Sequence, residues 1–142
     1  MNKNINNKIK ELILMFSKLD TVEERYELII NFTKNLEKFK DEDKTEENQI
    51  KNCQSTTYIK THLENNKIQI LSYSDSLISY GLSALLIYVY NDDDPVNILK
   101  YPPTFFNDLK IEESLSPNRS NGLYYMYERL KKDALKYLQN NN

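Results

Sequence analysis

The chain has 142 residues, of which 39% are hydrophobic and 28% are charged, so we expect a single folded domain over residues 1–142. Its 19 basic and 21 acidic residues leave a net charge of −2, which argues against nucleic-acid binding because such proteins carry a basic stripe. One cysteine excludes an internal disulfide, and together with one histidine it leaves too few soft ligands for a tetrahedral zinc site. We therefore expect no metal, and a reducing compartment.

The apolar segments do not predict a membrane protein. The longest apolar run, residues 77–90, is too short to cross a bilayer and is interrupted by serines and a glycine. The N-terminal residues lack the long apolar core and the small-residue cleavage site of a secretory signal. We expect a bacterial cytoplasmic protein, or an organelle-matrix protein from which a targeting peptide has been removed.

Two amphipathic helices are predicted in the first third of the chain, after a frayed end at residues 1–6. The first covers residues 7–19. Its apolar positions recur at helical spacing and comprise Ile9, Leu12, Ile13 and Phe16. The second begins at Thr21, which forms a capping box with Glu24, and extends to about Phe39.

A β-hairpin is predicted in the middle of the chain. Residues 40–48 are charged without periodicity and predict an exposed loop, whose place just before Cys53 makes it a possible docking edge. Residues 57–64 then alternate in polarity, the two asparagines at 65–66 suit a tight turn, and residues 67–74 form the returning strand. A short third strand before Cys53 would place this cysteine at a turn on the end of the sheet.

The second half of the chain predicts helices. The buried apolar helix begins near Ser74 or Asp75, both good N-cap residues, and ends at residues 91–95. The last helix has Ser116 as N-cap and Pro117 at its first position. Between these two helices we expect a short helix at residues 96–101 and turns anchored by Phe105, Phe106 and Leu109. The last helix is expected to end near Gln139 and to be followed by a frayed end at 140–142. Together these elements predict an α+β domain with an antiparallel sheet of about three strands.

Several residues that often carry chemistry have a simpler structural interpretation here. His62 alternates with charged neighbours on the solvent face of a strand, and no Ser-His-Asp set accompanies it. Gly81 and Gly122 are the only glycines, so a phosphate-binding loop is not expected. Tyr124, Tyr125 and Tyr127 are predicted to lie in the core and at its rim. Asp92, Asp93 and Asp94 are predicted to form a solvated loop rather than a divalent cation site.

Cys53 is the strongest functional candidate. A lone cysteine is usually a small buried hydrophobe, but Asn52, Gln54 and Ser55 around it are polar residues that favour turns. A position at the start of the hairpin would keep the thiol near a loop surface, and the thiolate is the reactive form. With no adjacent histidine a hydrolase is disfavoured. A thiol that accepts a group from the active site of another protein fits better.

Three blocks of sequence around Cys53 resemble one known family. They are "DEDKTEENQIKNCQSTTYI" at 41–59, "SYSDSLISYGLSALL" at 72–86 and "LSPNRSNGLYYM" at 115–126. Their order and spacing, with the earlier "RYELII", are similar to the SufE family over about residues 8–135. SufE proteins accept sulfur from the cysteine desulfurase SufS.

The resemblance implies a role for each matching residue. Cys53 would be the acceptor that carries sulfane sulfur as a persulfide, with Gln54 and Ser55 continuing the cysteine loop. Asp75 matches the aspartate of the second block, and Arg119 the arginine of the third. The family fold is shared with the IscU scaffold, whose additional cluster-ligating cysteines are missing here. The implied partners are a SufS-type desulfurase and downstream Suf scaffold proteins. The resemblance implies no cofactor for this chain, because the PLP is carried by the desulfurase.

The chain departs from the family pattern at two positions and leaves some alternatives open. The family usually has glycine where this chain has Asn52, and asparagine is the non-glycine residue that best tolerates positive φ. The family tends to have tryptophan where this chain has Tyr58. Asp75 and Arg119 either hold the cysteine loop or dock the desulfurase, or they are simply helix-cap residues. The protein could instead be an allosteric activator of a desulfurase with a structural Cys53, or a CsdE-type paralogue that serves another desulfurase. A stand-alone enzyme is not implied.

Overall fold

The computed structural model describes residues 4–140. Its helices are α1 (Ile5–Ser17), α2 (Val22–Asn31), α3 (Leu77–Tyr90), α4 (Val96–Lys100), α5 (Ile111–Ser114) and α6 (Pro117–Asn140), and its strands are β1 (Thr57–Glu64) and β2 (Lys67–Ser74). Short 3-10 turns lie at Phe32–Asn35, Asp41–Asp43 and Pro103–Asn107. This is the predicted α+β arrangement. None of the helices between residues 4 and 140 is long and apolar enough to cross a membrane.

The predicted frayed ends are only partly within the described residues. Residues 1–3 and 141–142 lie outside them. The prediction is wrong for the rest, because Asn4 caps α1 through its side chain, Ile5 is buried in the core, and Asn140 still belongs to α6.

The hairpin has the predicted turn and alternation. β1 and β2 are antiparallel, and their register runs from Thr57 opposite Ser74 to Glu64 opposite Lys67. The turn residues Asn65 and Asn66 have φ of 54° and 63°, the left-handed pair that closes a two-residue hairpin. The buried residues of the sheet all lie on one face and are Thr57, Ile59, Ile68, Ile70, Ser72 and Ser74. That face packs against α3 and α6.

The third strand is reduced to a single bridge, so the sheet of residues 4–140 has two strands rather than about three. Gln49 bridges Tyr58, and the Ile50 N–H donates to the Thr57 carbonyl at 2.8 Å. The pairing then stops because Asn52 turns into the left-handed region, with φ of 66°, where extended backbone cannot continue. This turn delivers Cys53 to the end of the sheet.

Two helix boundaries differ from the prediction. α2 has the predicted capping box at Thr21, but it ends at Asn31 instead of about Phe39. Beyond Asn31 the Thr33 hydroxyl donates to the Ile30 carbonyl at 2.7 Å, a local bond that competes with helix continuation. α3 is capped by Ser76, not by Ser74 or Asp75, because the side chains of those two residues bind the strand side.

The core is centred on α3, which is buried on most of its surface, as expected for the apolar run. Gly81 lets α3 approach α2: a Cβ there would lie 2.5 Å from Cγ2 and 2.7 Å from the carbonyl oxygen of Ile29. The predicted anchors Phe105, Phe106 and Leu109 are buried. α6 closes the core from the other side.

The loop before the cysteine is less free than its charge suggests. The Asp43 carboxylate pairs with Lys60 of β1 at 2.9 Å, and the Asp43 carbonyl accepts from the Asn48 side chain. These contacts fix the loop against the sheet. The predicted exposed, charged loop is therefore correct for only part of this segment.

Candidate functional site

Cys53 lies in the loop between the left-handed turn at Asn52 and the start of β1. Its side chain is half-buried and packs against the hydrophobic core, while Asn52 and Gln54 on either side are exposed. On the inner side the sulfur faces Gly122 of α6, where a Cβ would lie 3.7 Å from Sγ. The polar turn predicted from the sequence therefore exists, and the sulfur it carries is half-buried.

Asp75 and Thr56 fasten this loop to the end of β2. The Thr56 N–H donates to Oδ1 of Asp75 at 3.1 Å, and the Asp75 N–H donates to the Thr56 carbonyl at 3.1 Å. Of the three interpretations of Asp75, its side-chain contact supports the loop-holding one, and the helix-cap interpretation is wrong because the cap is Ser76. The carboxylate itself is exposed.

Arg119, in the first turn of α6, reaches across to the N-terminus of α3. Its Nη1 donates to Oγ of Ser76 and to Oγ of Ser79, each at 2.7 Å. Its backbone N–H donates to the hydroxyl of the Ser116 cap at 3.3 Å, while its side chain leaves the helix. The unfavourable position of a cation at a helix N-terminus is thus explained by a tertiary contact.

Ser55 connects the cysteine loop to the same end of α3. Its hydroxyl donates to Oγ of Ser79 at 2.8 Å and accepts from Oγ of Ser74 at 3.3 Å. The Thr57 hydroxyl donates to Ser74 at 3.0 Å, which completes a chain of hydroxyls from β1 to α3. No side-chain hydrogen bond of Gln54 or Asn52 is found within the described part of the chain.

Two opposing effects act on the thiol. Burial raises the pKa of Cys53 above its usual value, because a thiolate is poorly solvated there, and the Arg119 guanidinium opposes this by favouring the anion. The resting thiol is therefore mostly protonated. The charge that favours its ionisation is carried by a side chain of α6.

His62 is not part of the site. It is exposed on β1 opposite Gln69, five residues beyond Thr57, which is roughly 16 Å along a strand. A Cys-His pair is thus excluded by the register of the hairpin. Among residues 4–140 there is also no cluster of three or more His, Cys, Asp or Glu side chains that could hold a metal ion.

The structure brings together Cys53, Ser55, Asp75 and Arg119, and it leaves Asn52 and Gln54 on the exposed side of the loop. The residues that connect them were not predicted as part of the site, and these are Thr57, Ser74, Ser76, Ser79 and Gly122. The sequence predicted a helix cap within "SDSLIS", at Ser74 or Asp75 rather than Ser76, but the contact of this segment with α6 depends on tertiary packing.

The fold and this site define a class: an α+β domain that holds one half-buried thiol at the end of a hairpin, with an arginine whose charge favours ionisation of the thiol. The SufE family model, a domain associated with Fe–S metabolism, matches residues 10–134. The chain therefore belongs to the SufE family, and its domain is one associated with iron–sulfur metabolism.

Individual relatives agree with this assignment. An uncharacterized SufE-like protein of Synechocystis is 30% identical over 91% of this chain and 81% of its own length. SufE-like protein 1 of Arabidopsis thaliana, named chloroplastic/mitochondrial, is 31% identical, and the match spans 90% of this chain but only 35% of that protein. A solution structure of a hypothetical protein from Thermus thermophilus shares the fold, with a TM-score of 0.79, 21% identity and coverage of 93% and 96% of the two chains.

Proposed function

We propose that this protein accepts sulfur from a cysteine desulfurase onto Cys53 and carries it as a persulfide for iron–sulfur cluster assembly. The observation that carries the proposal is the sheltered position of the single thiol, at a turn that the exposed Asn52 allows, with the Arg119 charge acting on it. Membership in a family associated with Fe–S metabolism supports the same reaction.

The proposed step is a thiol exchange without net oxidation. The Cys53 thiolate attacks the terminal sulfur of a cysteine persulfide on the partner, a new S–S bond forms, and the old S–S bond breaks. The partner cysteine leaves as a thiolate and takes up the proton that Cys53 gave to solvent. Cys53 then holds the sulfane sulfur. PLP chemistry, which generates the partner persulfide, belongs to the desulfurase, so this chain needs no cofactor of its own.

The Cys53 sulfur must be protected at rest but accessible to the desulfurase during transfer. The contacts of the loop suggest how both requirements are met. In the resting state Asp75 and Ser55 hold the loop, and Cys53 is half-buried with its sulfur against Gly122 of α6. Exchange requires the sulfur to turn outward, past the exposed residues Asn52 and Gln54. These two residues would then meet the desulfurase.

We infer that the desulfurase is of the SufS type and that the downstream recipients are Suf scaffold proteins, in a bacterial cytoplasm or an organelle matrix. A CsdE-type paralogue would use the same thiol with a different desulfurase. Incubation with each purified desulfurase separates the two, because the cognate enzyme should load more sulfur onto Cys53 than the other.

Intact-mass spectrometry tests the proposal directly. The chain is incubated with desulfurase and cysteine, and we expect wild type to gain one sulfur that a reductant removes. Cys53→Ala should gain none, while the matched variant His62→Gln, altered at a distant exposed residue, should load like wild type. Absence of loading on wild type, or equal loading on Cys53→Ala, would refute sulfur acceptance.

One observation favours a second function, allosteric activation of a desulfurase with a structural cysteine. Cys53 packs against the core and burial raises its pKa, which is how an inert cysteine behaves. The two functions differ in the effect of Cys53→Ser on cysteine-dependent sulfide release by the desulfurase. If Cys53 accepts sulfur, stimulation is lost, whereas a structural Cys53 leaves it within about twofold of wild type.

A further inference from the structure

The Arg119 side chain has an unusual set of partners for a charged group. Its Nη1 donates only to the hydroxyls of Ser76 and Ser79, and it forms no ion pair with a carboxylate within residues 4–140. By contrast, Arg129 further along α6 pairs with Asp133 at 3.1 Å. The charge of Arg119 is therefore not compensated by a neighbouring anion and remains available to a sulfur anion.

The hydroxyl of Ser79 is shared between Arg119 and the cysteine loop. Its oxygen accepts from Nη1 of Arg119 at 2.7 Å and from Oγ of Ser55 at 2.8 Å, which uses both acceptor sites of a hydroxyl. Ser79 is 7% exposed, so water does not readily replace either donor. One buried oxygen thus joins α3, α6 and the loop that bears Cys53.

The other contacts of the loop do not provide this link. The Thr56–Asp75 pair holds the loop to the end of β2 and involves no atom of Arg119. Ser76 binds Arg119 but has no hydrogen bond to the cysteine loop within the described residues, and its hydroxyl also caps α3. Ser79 is therefore the residue of this network that binds both the guanidinium and the loop directly.

We propose that Ser79 is a positioning residue that ties the Arg119 guanidinium to the cysteine loop and so keeps the positive charge beside the sulfur of Cys53. The inference rests on the proposed sulfur-acceptor function and adds a residue to it. The same charge would stabilise the thiolate that attacks and the persulfide anion that results, because both place negative charge on the sulfur chain.

Other charged groups around the loop have hydrogen-bond or ion-pair partners of their own. Asp75 binds the Thr56 N–H, Lys51 pairs with Glu46 at 3.7 Å, and Arg129 of α6 pairs with Asp133. Burial raises the pKa of Cys53, and Arg119 is the charged side chain that lowers it. A change in the pKa of the thiol on removing Arg119 therefore reports the placement of that guanidinium.

The test is a double-mutant cycle on the ionisation of Cys53, measured from the pH dependence of its alkylation by iodoacetamide. The chain has one cysteine, so the modified site is unambiguous. Arg119→Gln should raise the apparent pKa and lower the thiolate fraction at pH 7 about threefold when Ser79 is present. In the Ser79→Ala background the same change should have less than half of that effect. The cycle cancels any direct effect of Ser79→Ala on the burial of the thiol.

Ser79→Thr, which keeps the hydroxyl, should restore the full effect of Arg119→Gln. An equal effect of Arg119→Gln in the wild-type and Ser79→Ala backgrounds overturns the proposal, and so does the absence of any effect in the wild-type background. Circular dichroism checks folding, and Ser55→Ala, which removes the loop side of the contact, gives a second cycle if Ser79→Ala does not fold. The cycle uses no desulfurase, so its failure is distinguishable from a failure of sulfur loading in the mass assay.

Discussion

Gly122 of α6 faces the sulfur of Cys53 at a distance that leaves room for one methyl group, since a Cβ at position 122 would lie 3.7 Å from Sγ. This is ordinary van der Waals contact, and the backbone of Gly122 does not have positive φ. The glycine is therefore required neither by its conformation nor by the resting position of the thiol.

Gly122→Ala should stabilise the protein, because alanine in a helix interior is favoured over glycine by about 0.5–1 kcal/mol. Urea unfolding followed by circular dichroism measures the change. A loss of stability greater than about 1 kcal/mol would contradict the distance on which the prediction rests.

Gly81→Ala should have the opposite sign. A Cβ at position 81 would lie 2.5 Å from Cγ2 of Ile29 and 2.7 Å from its carbonyl oxygen, so α2 and α3 must separate. Overpacking of this kind costs about 1–3 kcal/mol, more than the gain in helix propensity. The same unfolding measurement applies, and the two glycines serve as controls for each other. A stabilised Gly81→Ala would show that α2 yields easily.

These two glycines illustrate which parts of the fold the sequence could predict. The apolar run containing Gly81 was correctly predicted as a buried helix, and the paired asparagines at 65–66 as a hairpin turn, since both signals are local. The close contact of Gly81 with Ile29 is tertiary and leaves no mark in the local pattern. The predicted end of α2 was wrong for a related reason. The apolar spacing alone favoured continuation of the helix, but the Thr33 hydroxyl donates to the Ile30 carbonyl.

Stability should fall at alkaline pH because buried phenols must ionise on unfolding. Tyr90 is fully buried and donates to the Tyr101 carbonyl at 2.6 Å, and burial raises the pKa of Tyr90 far above its usual value. The unfolded chain loses this proton near pH 10, so the contribution of Tyr90 is complete below that pH and is lost as the pH rises further.

The prediction is checked by comparing wild type with Tyr90→Phe in urea at several pH values. The variant should be less stable by about 1 kcal/mol at pH 7, since it leaves the Tyr101 carbonyl without its donor, and the difference should shrink steadily above pH 10. Tyr88, whose pKa is raised to about 12 by burial and by its bond to Glu11, should behave similarly up to about pH 12. A difference that is independent of pH would mean that Tyr90 is accessible to water in the folded state.

The sequence predicted a turn at Cys53 and the residues that would lie near it, but not the hydrogen bonds that connect them. The polar neighbours of Cys53 predicted the turn, and the three sequence blocks predicted that Asp75 and Arg119 would lie near it. Helix-cap rules assigned the cap of α3 to Ser74 or Asp75, whereas the strand side takes both side chains and leaves the cap to Ser76. The contact of Arg119 with α3 joins residues 40 positions apart, and only the packing of α6 on α3 brings them together.

Asn52 offers the most direct test of how the loop opens. It has φ of 66°, a region that glycine enters freely, asparagine tolerates and β-branched residues avoid. Asn52→Val should therefore destabilise the folded loop by about 1–2 kcal/mol. Asn52→Gly should leave the turn intact but widen the range of conformations that the loop samples.

We expect Asn52→Gly to raise the rate of Cys53 alkylation by about threefold or more, when that rate is divided by the measured thiolate fraction of each variant at one common pH below 10, because loop opening limits access to the half-buried sulfur. Asn65→Gly is the matched control: it alters an asparagine of the same left-handed conformation, with φ of 54°, in the hairpin turn at the far end of β1. If both variants accelerate alkylation equally, global loosening is the cause. If neither does, the outward turn of Cys53 is not governed by its preceding residue, and the partner must supply the opening by displacing the Ser55 and Asp75 contacts.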